Sequence, residues 1–192
     1  MILFFDTETT GLPINWKRPA SDVQNWPRIV QIAWLIYSDD GEKLSSRMAI
    51  IIPVGYEIPE EASAVHGISN KMAMEKGEYI EDILLEFESA LRNVDQIVAH
   101  NLAFDEKVLL AEYYRLAEPT VFLEKKRLCT MQASTNFCAL PAPHGREAYK
   151  WPKLSELHEK CFGESFDGAH DALMDIEACA RCYWKLKALH LL

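Results

Sequence analysis

Near the start of the chain a hydrophobic run, Ile2 to Phe5, leads directly into two acids spaced two apart, Asp6 and Glu8, followed by Thr9, Thr10 and Gly11. In an extended segment alternate side chains share a face, so Ile2, Phe4, Asp6 and Glu8 project the same way. Carboxylates held that close repel unless one keeps its proton or a cation sits between them, which makes the end of this strand a candidate metal site. The plainer alternative is a solvated strand end with a Thr-Gly turn. Two later segments carry donors of the same kind. Asp105 closes "HNLAFD" (100–105) at a strand-to-helix junction, and His170 and Asp175 bracket "HDALMD" (170–175) at the head of the last helix. On an ideal helix His170 and Asp175 would stand about 140° apart, so they converge only if His170 lies at or before the helix start, as Gly168 just upstream allows. Asp175 has Ala172 and Cys179 as its neighbours along the helix and therefore borders the apolar stripe.

These acids need elements to hold them. Segments 28–38 and 43–54 are rich in β-branched and aromatic residues and are joined by Asp39, Asp40 and Gly41, which predicts a β-hairpin. One short helix is expected over 59–69, and an amphipathic helix over 78–93, where Ile80, Ile83, Leu84, Phe87 and Leu91 recur at helical spacing. A strand at 96–100 precedes a helix at 104–117, and a strand at 127–130 precedes a helix at 130–138. After a Pro-rich loop, helices are expected at 153–161 and 169–188. Antiparallel strands followed by strand-helix units describe an α/β protein with a mixed sheet covered by helices.

Composition narrows the function classes. A chain of 192 residues, with 49% hydrophobic and 26% charged residues, reads as a single domain, 1–192. No run approaches the ~20 apolar residues that cross a bilayer, and the N-terminus enters strand pattern at once, so no membrane role and a cytoplasmic location are expected. Five cysteines, an odd number, point to reduced thiols. Cys179 and Cys182 form a C-x-x-C inside a helical pattern, read as packed thiols rather than a zinc site. The net charge of −9 argues against a broad basic face for nucleic acid. An acid cluster that captured two divalent cations would supply the missing attraction for phosphate.

The three acidic segments, taken in order, resemble the DEDDh exonucleases, the DnaQ-like family of the polymerase III proofreading subunit, ribonuclease T and oligoribonuclease. "FDTETTG" matches the first motif, "HNLAFD" the second and "HDALMD" the third, and "VHGIS" (65–69) and "KLSELHEKCFG" (153–163) look like proofreading members. The resemblance implies a ribonuclease H-like fold with a central five-stranded mixed sheet. It also implies a 3′–5′ exonuclease that hydrolyses phosphodiester bonds with two divalent ions, Mg²⁺ or Mn²⁺, and releases nucleoside monophosphates. In that pattern Asp6 bridges both ions, Glu8 and Asp175 hold the one that binds the attacking water, Asp105 supports the second, and His170 is the general base. Thr9 and Thr10 through their backbone, with Leu12, would contact the last sugar and base, while His66, Asn101 and Phe104 line the pocket. Single-stranded or frayed 3′ ends of DNA are the favoured substrate. The alternatives are an exoribonuclease of the same mechanism and a proofreading or interaction subunit bound to a DNA polymerase; the absence of a long tail after the last helix favours free-standing action. A haloacid-dehalogenase-like phosphatase also begins with paired acids after a strand, but would have no use for His170 and Asp175.

The long connection 11–28 leaves the catalytic strand beside Glu8 and carries Trp16, Lys17, Arg18, Trp26 and Arg28 in an acidic protein. Aromatic faces among cations suit a single nucleic-acid strand. The competing expectation is that both tryptophans fold the loop onto the body.

Overall fold

The computed structural model describes residues 1–142, 149–164 and 171–192. Its five strands are β1 (Ile2–Thr9), β2 (Ile29–Tyr37), β3 (Lys43–Ile50), β4 (Gln96–Ala99) and β5 (Lys126–Cys129), in the spatial order β3-β2-β1-β4-β5. The first three pair antiparallel, and β4 and β5 add parallel to β1, which gives the expected α/β, five-stranded mixed sheet. The helices are α1 (Glu60–His66), α2 (Asn70–Lys76), α3 (Ile80–Arg92), α4 (Leu102–Leu116), α5 (Thr130–Ala133), α6 (Thr135–Cys138), α7 (Leu154–Phe162) and α8 (Ala172–Ala188). The single helix expected over 59–69 is followed by a second one, α2, and that expected over 130–138 is broken at Ser134. Ser69 caps α2 by accepting from the Met72 N–H, a signal that the sequence reading passed over.

Alternation along β1 divides the core. Leu3 and Phe5 pack with Ile83, Phe87, Val108 and Ala111 of α3 and α4 on one face. Ile2 and Phe4 pack with Ile176, Cys179 and Tyr183 of α8 on the other. Being covered on both faces explains why β2 is an almost unbroken apolar run. Cys179 joins the second of these clusters, whereas Cys182 joins Cys138 and Cys161 in a smaller one under α7, so the C-x-x-C cysteines pack as separate buried thiols. No described helix is long and apolar enough to cross a membrane.

One irregularity of the sheet makes room for a site. β4 pairs with β1 only as far as Phe4 opposite Val98, whereas β2 follows β1 to Thr9 opposite Ile29. The last stretch of β1, from Phe5 onward, is thus paired on one side only, and the chain leaving β4 turns there into α4. Asn101 makes that turn in the left-handed region, at φ 67°.

Candidate active site

The face of β1 that buries Ile2 and Phe4 against α8 ends in Asp6 and Glu8, as alternation requires. Asp175, in the first turn of α8, comes up against them, and carboxylate oxygens of Asp6, Glu8 and Asp175 all lie within 4.8 Å of one another. Asp105 approaches from α4 through the gap beside β1. It is 2% exposed, and its Oδ1 accepts from the Thr7 N–H at 3.2 Å and the Thr7 hydroxyl at 2.8 Å. The intervening Thr7 thus anchors, from the opposite face of the strand, the acid contributed by α4.

The N-terminus of α8 is fixed by two contacts. Asp171 caps it, accepting from the Leu173 and Met174 N–H groups, and the Ala172 N–H donates to Gln31 Oε1 at 3.0 Å. Gln31 is buried and sits opposite Glu8 in the sheet register, so the same residue pair that aligns β1 with β2 sets the height of Asp175. Thr7, Gln31 and Asp171 are the residues that sequence reasoning missed. A lone glutamine inside the apolar run of β2 was the available signal for one of them.

Electrostatically the acids of the cluster oppose one another's ionisation. Burial, followed by the charges of Asp105, Asp175, Glu8 and Asp171, pushes the Asp6 carboxyl well above the ordinary range. Burial and then Asp175, Asp105 and Asp171 push Glu8 up to about 7. Asp105 is also pushed up to about 7, chiefly by burial, against the lowering effect of its Thr7 hydrogen bonds. An all-oxygen donor set of this kind suits hard divalent cations. Among the described residues it is also the one group of His, Cys, Asp or Glu close enough to hold an ion.

Beside Glu8 opens a cavity of about 520 Å³, between the end of β1 and the exposed helix α1. Thr9, Thr10, Leu12, His66 and Phe104 line it, and Glu61 and Val65 of α1 add to the wall. Asn101 is not among its lining residues; its left-handed backbone is used to start α4. Thr10 is tied to the start of β2: its N–H donates to the Arg28 carbonyl and its hydroxyl accepts from the Arg28 N–H. His66 Nδ1 accepts from the Ile68 N–H, which places the proton of the neutral ring on Nε2. His100, in the second motif, bridges the Thr130 hydroxyl and the Pro152 carbonyl, and burial lowers it to about 4, so it is a neutral structural residue. His170 lies outside the described residues, and α8 begins two residues after it.

Comparisons with known proteins agree with this geometry. Residues 3–183 match the protein family described as Exonuclease. No curated protein matches the chain in sequence. Among solved structures, Escherichia coli exonuclease I in complex with a dA13 oligonucleotide superposes with a TM-score of 0.73 at 19% identity, over 97% of this chain and 40% of that one. The zinc-bound complex of the same enzyme with single-stranded DNA gives 0.76 at 23% identity, over 99% and 41%. Exonuclease X with 5′-overhanging duplex DNA gives 0.62 at 23%, over 98% and 92%. The chain spans about two fifths of the length of the exonuclease I chains and nearly all of exonuclease X.

Proposed function

Since the chain belongs to the DnaQ-like, DEDDh-type 3′–5′ exonuclease family and is thus a nuclease, we propose that its 192 residues form one exonuclease domain. It removes nucleoside monophosphates from the 3′ ends of single-stranded or frayed DNA. The observation that carries this reading is the convergence of Asp6, Glu8 and Asp175, with Asp105 behind Thr7, next to a cavity that Glu8 lines and a terminal nucleotide would fill. The DNA preference is supported by the DNA bound in the exonuclease I and X structures.

The acids fit a pair of divalent cations, Mg²⁺ or Mn²⁺, which when bound would polarise the scissile phosphate and lower the pKa of the attacking water. Asp6, Glu8, Asp105 and Asp175 would hold them. The protein's own part is positional. Thr7 and Gln31 fix the two helices that deliver Asp105 and Asp175 to the strand end. Leu12, Val65 and Phe104 offer an apolar wall to the terminal base and sugar. His170, carried on the segment before α8, takes the proton of the water. That role rests on the likeness of "HDALMD" to the third motif of the family; His100, by contrast, is held between the Thr130 hydroxyl and the Pro152 carbonyl.

The test is a time course on 5′-labelled and 3′-labelled single-stranded DNA and RNA of one sequence, with Mg²⁺ or Mn²⁺. The proposal predicts a descending ladder from the 5′-labelled DNA, immediate mononucleotide from the 3′ label, and no reaction in chelator. Internal cleavage, shortening from the 5′ end, or faster loss of RNA would each contradict a part of it.

A further inference from the structure

The connection between β1 and β2 divides into two halves of opposite character. Its far half is an anchor: Trp26 is 3% exposed, its Nε1 donates to the Pro19 carbonyl, and Arg115 of α4 holds the Val23 and Trp26 carbonyls. Asn25, also buried, accepts from the Asn15 N–H and donates to the Asn15 carbonyl, so the near half is pinned to the far half from within. The near half nevertheless exposes large apolar side chains at alternate positions, with Leu12 73%, Ile14 84% and Trp16 52% exposed.

That surface is continuous with the catalytic cavity. Leu12 and Phe104 line the cavity, and the Trp16 ring lies against Phe104 with centroids 5.7 Å apart. The Trp16 carbonyl accepts from Lys107 Nζ at 3.0 Å, which ties it to α4, the helix that also delivers Asp105. Next to it stand the exposed cations Lys17 and Arg18, the latter 3.6 Å from Asp22. A tryptophan held this firmly, yet open on one side, is preordered for stacking, so little freedom is lost when a flat ring settles on it. Cations beside an aromatic face suit a single strand, whose bases stack while its phosphates are neutralised.

We propose that residues 14–18, centred on Trp16, form a stacking platform for the nucleotides upstream of the terminal dinucleotide of single-stranded DNA. The platform rests on the exonuclease reading. Its test compares KM for dT8 with KM for the dinucleotide pdTdT in Mg²⁺, in wild type, Trp16→Ala, Trp16→Phe and Lys17→Gln. With Trp16→Ala the ratio of KM for dT8 to KM for pdTdT should rise about 10-fold, as expected for loss of a stacked base, and Trp16→Phe should restore most of it. With Lys17→Gln the slope of log KM for dT8 against log salt should fall by about 0.7, the value for one phosphate on a single strand. An equal rise in KM on both substrates, or none on dT8, overturns the platform while leaving the nuclease standing. A wild-type protein that shortens neither substrate overturns the nuclease reading itself, and the platform with it.

Discussion

Helix α4 carries two buried carboxylates, Asp105 in its first turn and Glu112 two turns later, and the protein treats them in opposite ways. Glu112 is 1% exposed and surrounded by donors: Arg28 Nε at 2.9 Å, Arg115 Nη1 at 3.0 Å and the Ile29 N–H at 3.1 Å. Asp105 is 2% exposed and accepts two bonds from Thr7, with Asp175 and Asp6 as its charged neighbours. A buried charge is tolerated when it is paired or when it is neutralised by a proton. Glu112 has its cations built in and serves to hold the 11–28 connection and β2 to α4. The acids around Asp6 instead face one another, an arrangement that a divalent cation would relieve. Glu112 belongs to the fold, and the Asp6 cluster is the one we assign to the chemistry.

The largest expected contrast is in rate. Asp6→Ala or Asp175→Ala should lower 3′ hydrolysis by about 10³-fold or more, equivalent to about 4 kcal/mol of transition-state stabilisation. Melting of the metal-free protein should stay unchanged or rise, because like charges have been removed. Near wild-type activity in either variant would break the assignment. His170→Asn comes next, slowing the reaction by about 10² and flattening the rise of rate with pH that a general base gives. A pH profile identical to wild type would remove His170 from the mechanism.

Glu112→Ala should show the reverse pattern. It leaves the half-buried Arg28 and Arg115 without their anion, a loss of about 2 to 3 kcal/mol, which in a chain of this size lowers Tm by about 8 °C. Circular dichroism melting checks this. Wild-type stability in Glu112→Ala, together with a large loss in Asp6→Ala, would invert the comparison.

How much of this was legible beforehand depends on how local the signal was. Asp6, Glu8 and Asp175 could be placed because strand alternation and helical spacing operate within a few residues, and each sits on a strongly patterned element. Phe104, Leu12 and His66 were found at the cavity through the resemblance alone. Thr7 was passed over because its role depends on α4 reaching across the sheet edge, nearly a hundred residues away in sequence. Gln31 likewise acts on a helix that begins at Ala172. The two tryptophans of the connection were indistinguishable in sequence, and only the anchoring by Asn25 and Arg115 separates the buried Trp26 from the exposed Trp16.

The most direct test of the central claim, that the Asp6 cluster is completed by an external cation, is thermal melting against pH with and without Mg²⁺ at constant ionic strength. Glu8 and Asp105 are pushed up to about 7 from ordinary values near 4.5 and 3.8. Between those limits the native state therefore binds more protons than the unfolded chain. The share of metal-free stability that these two groups contribute should fall as pH rises from about 4.5 through 7. Mg²⁺ binds the ionised acids, so at pH 8 and about 100 times its Kd it should raise Tm by about 5 °C or more, and at pH 5 by much less. A Mg²⁺-dependent rise that is absent at pH 8, or equal at the two pH values, would contradict the account.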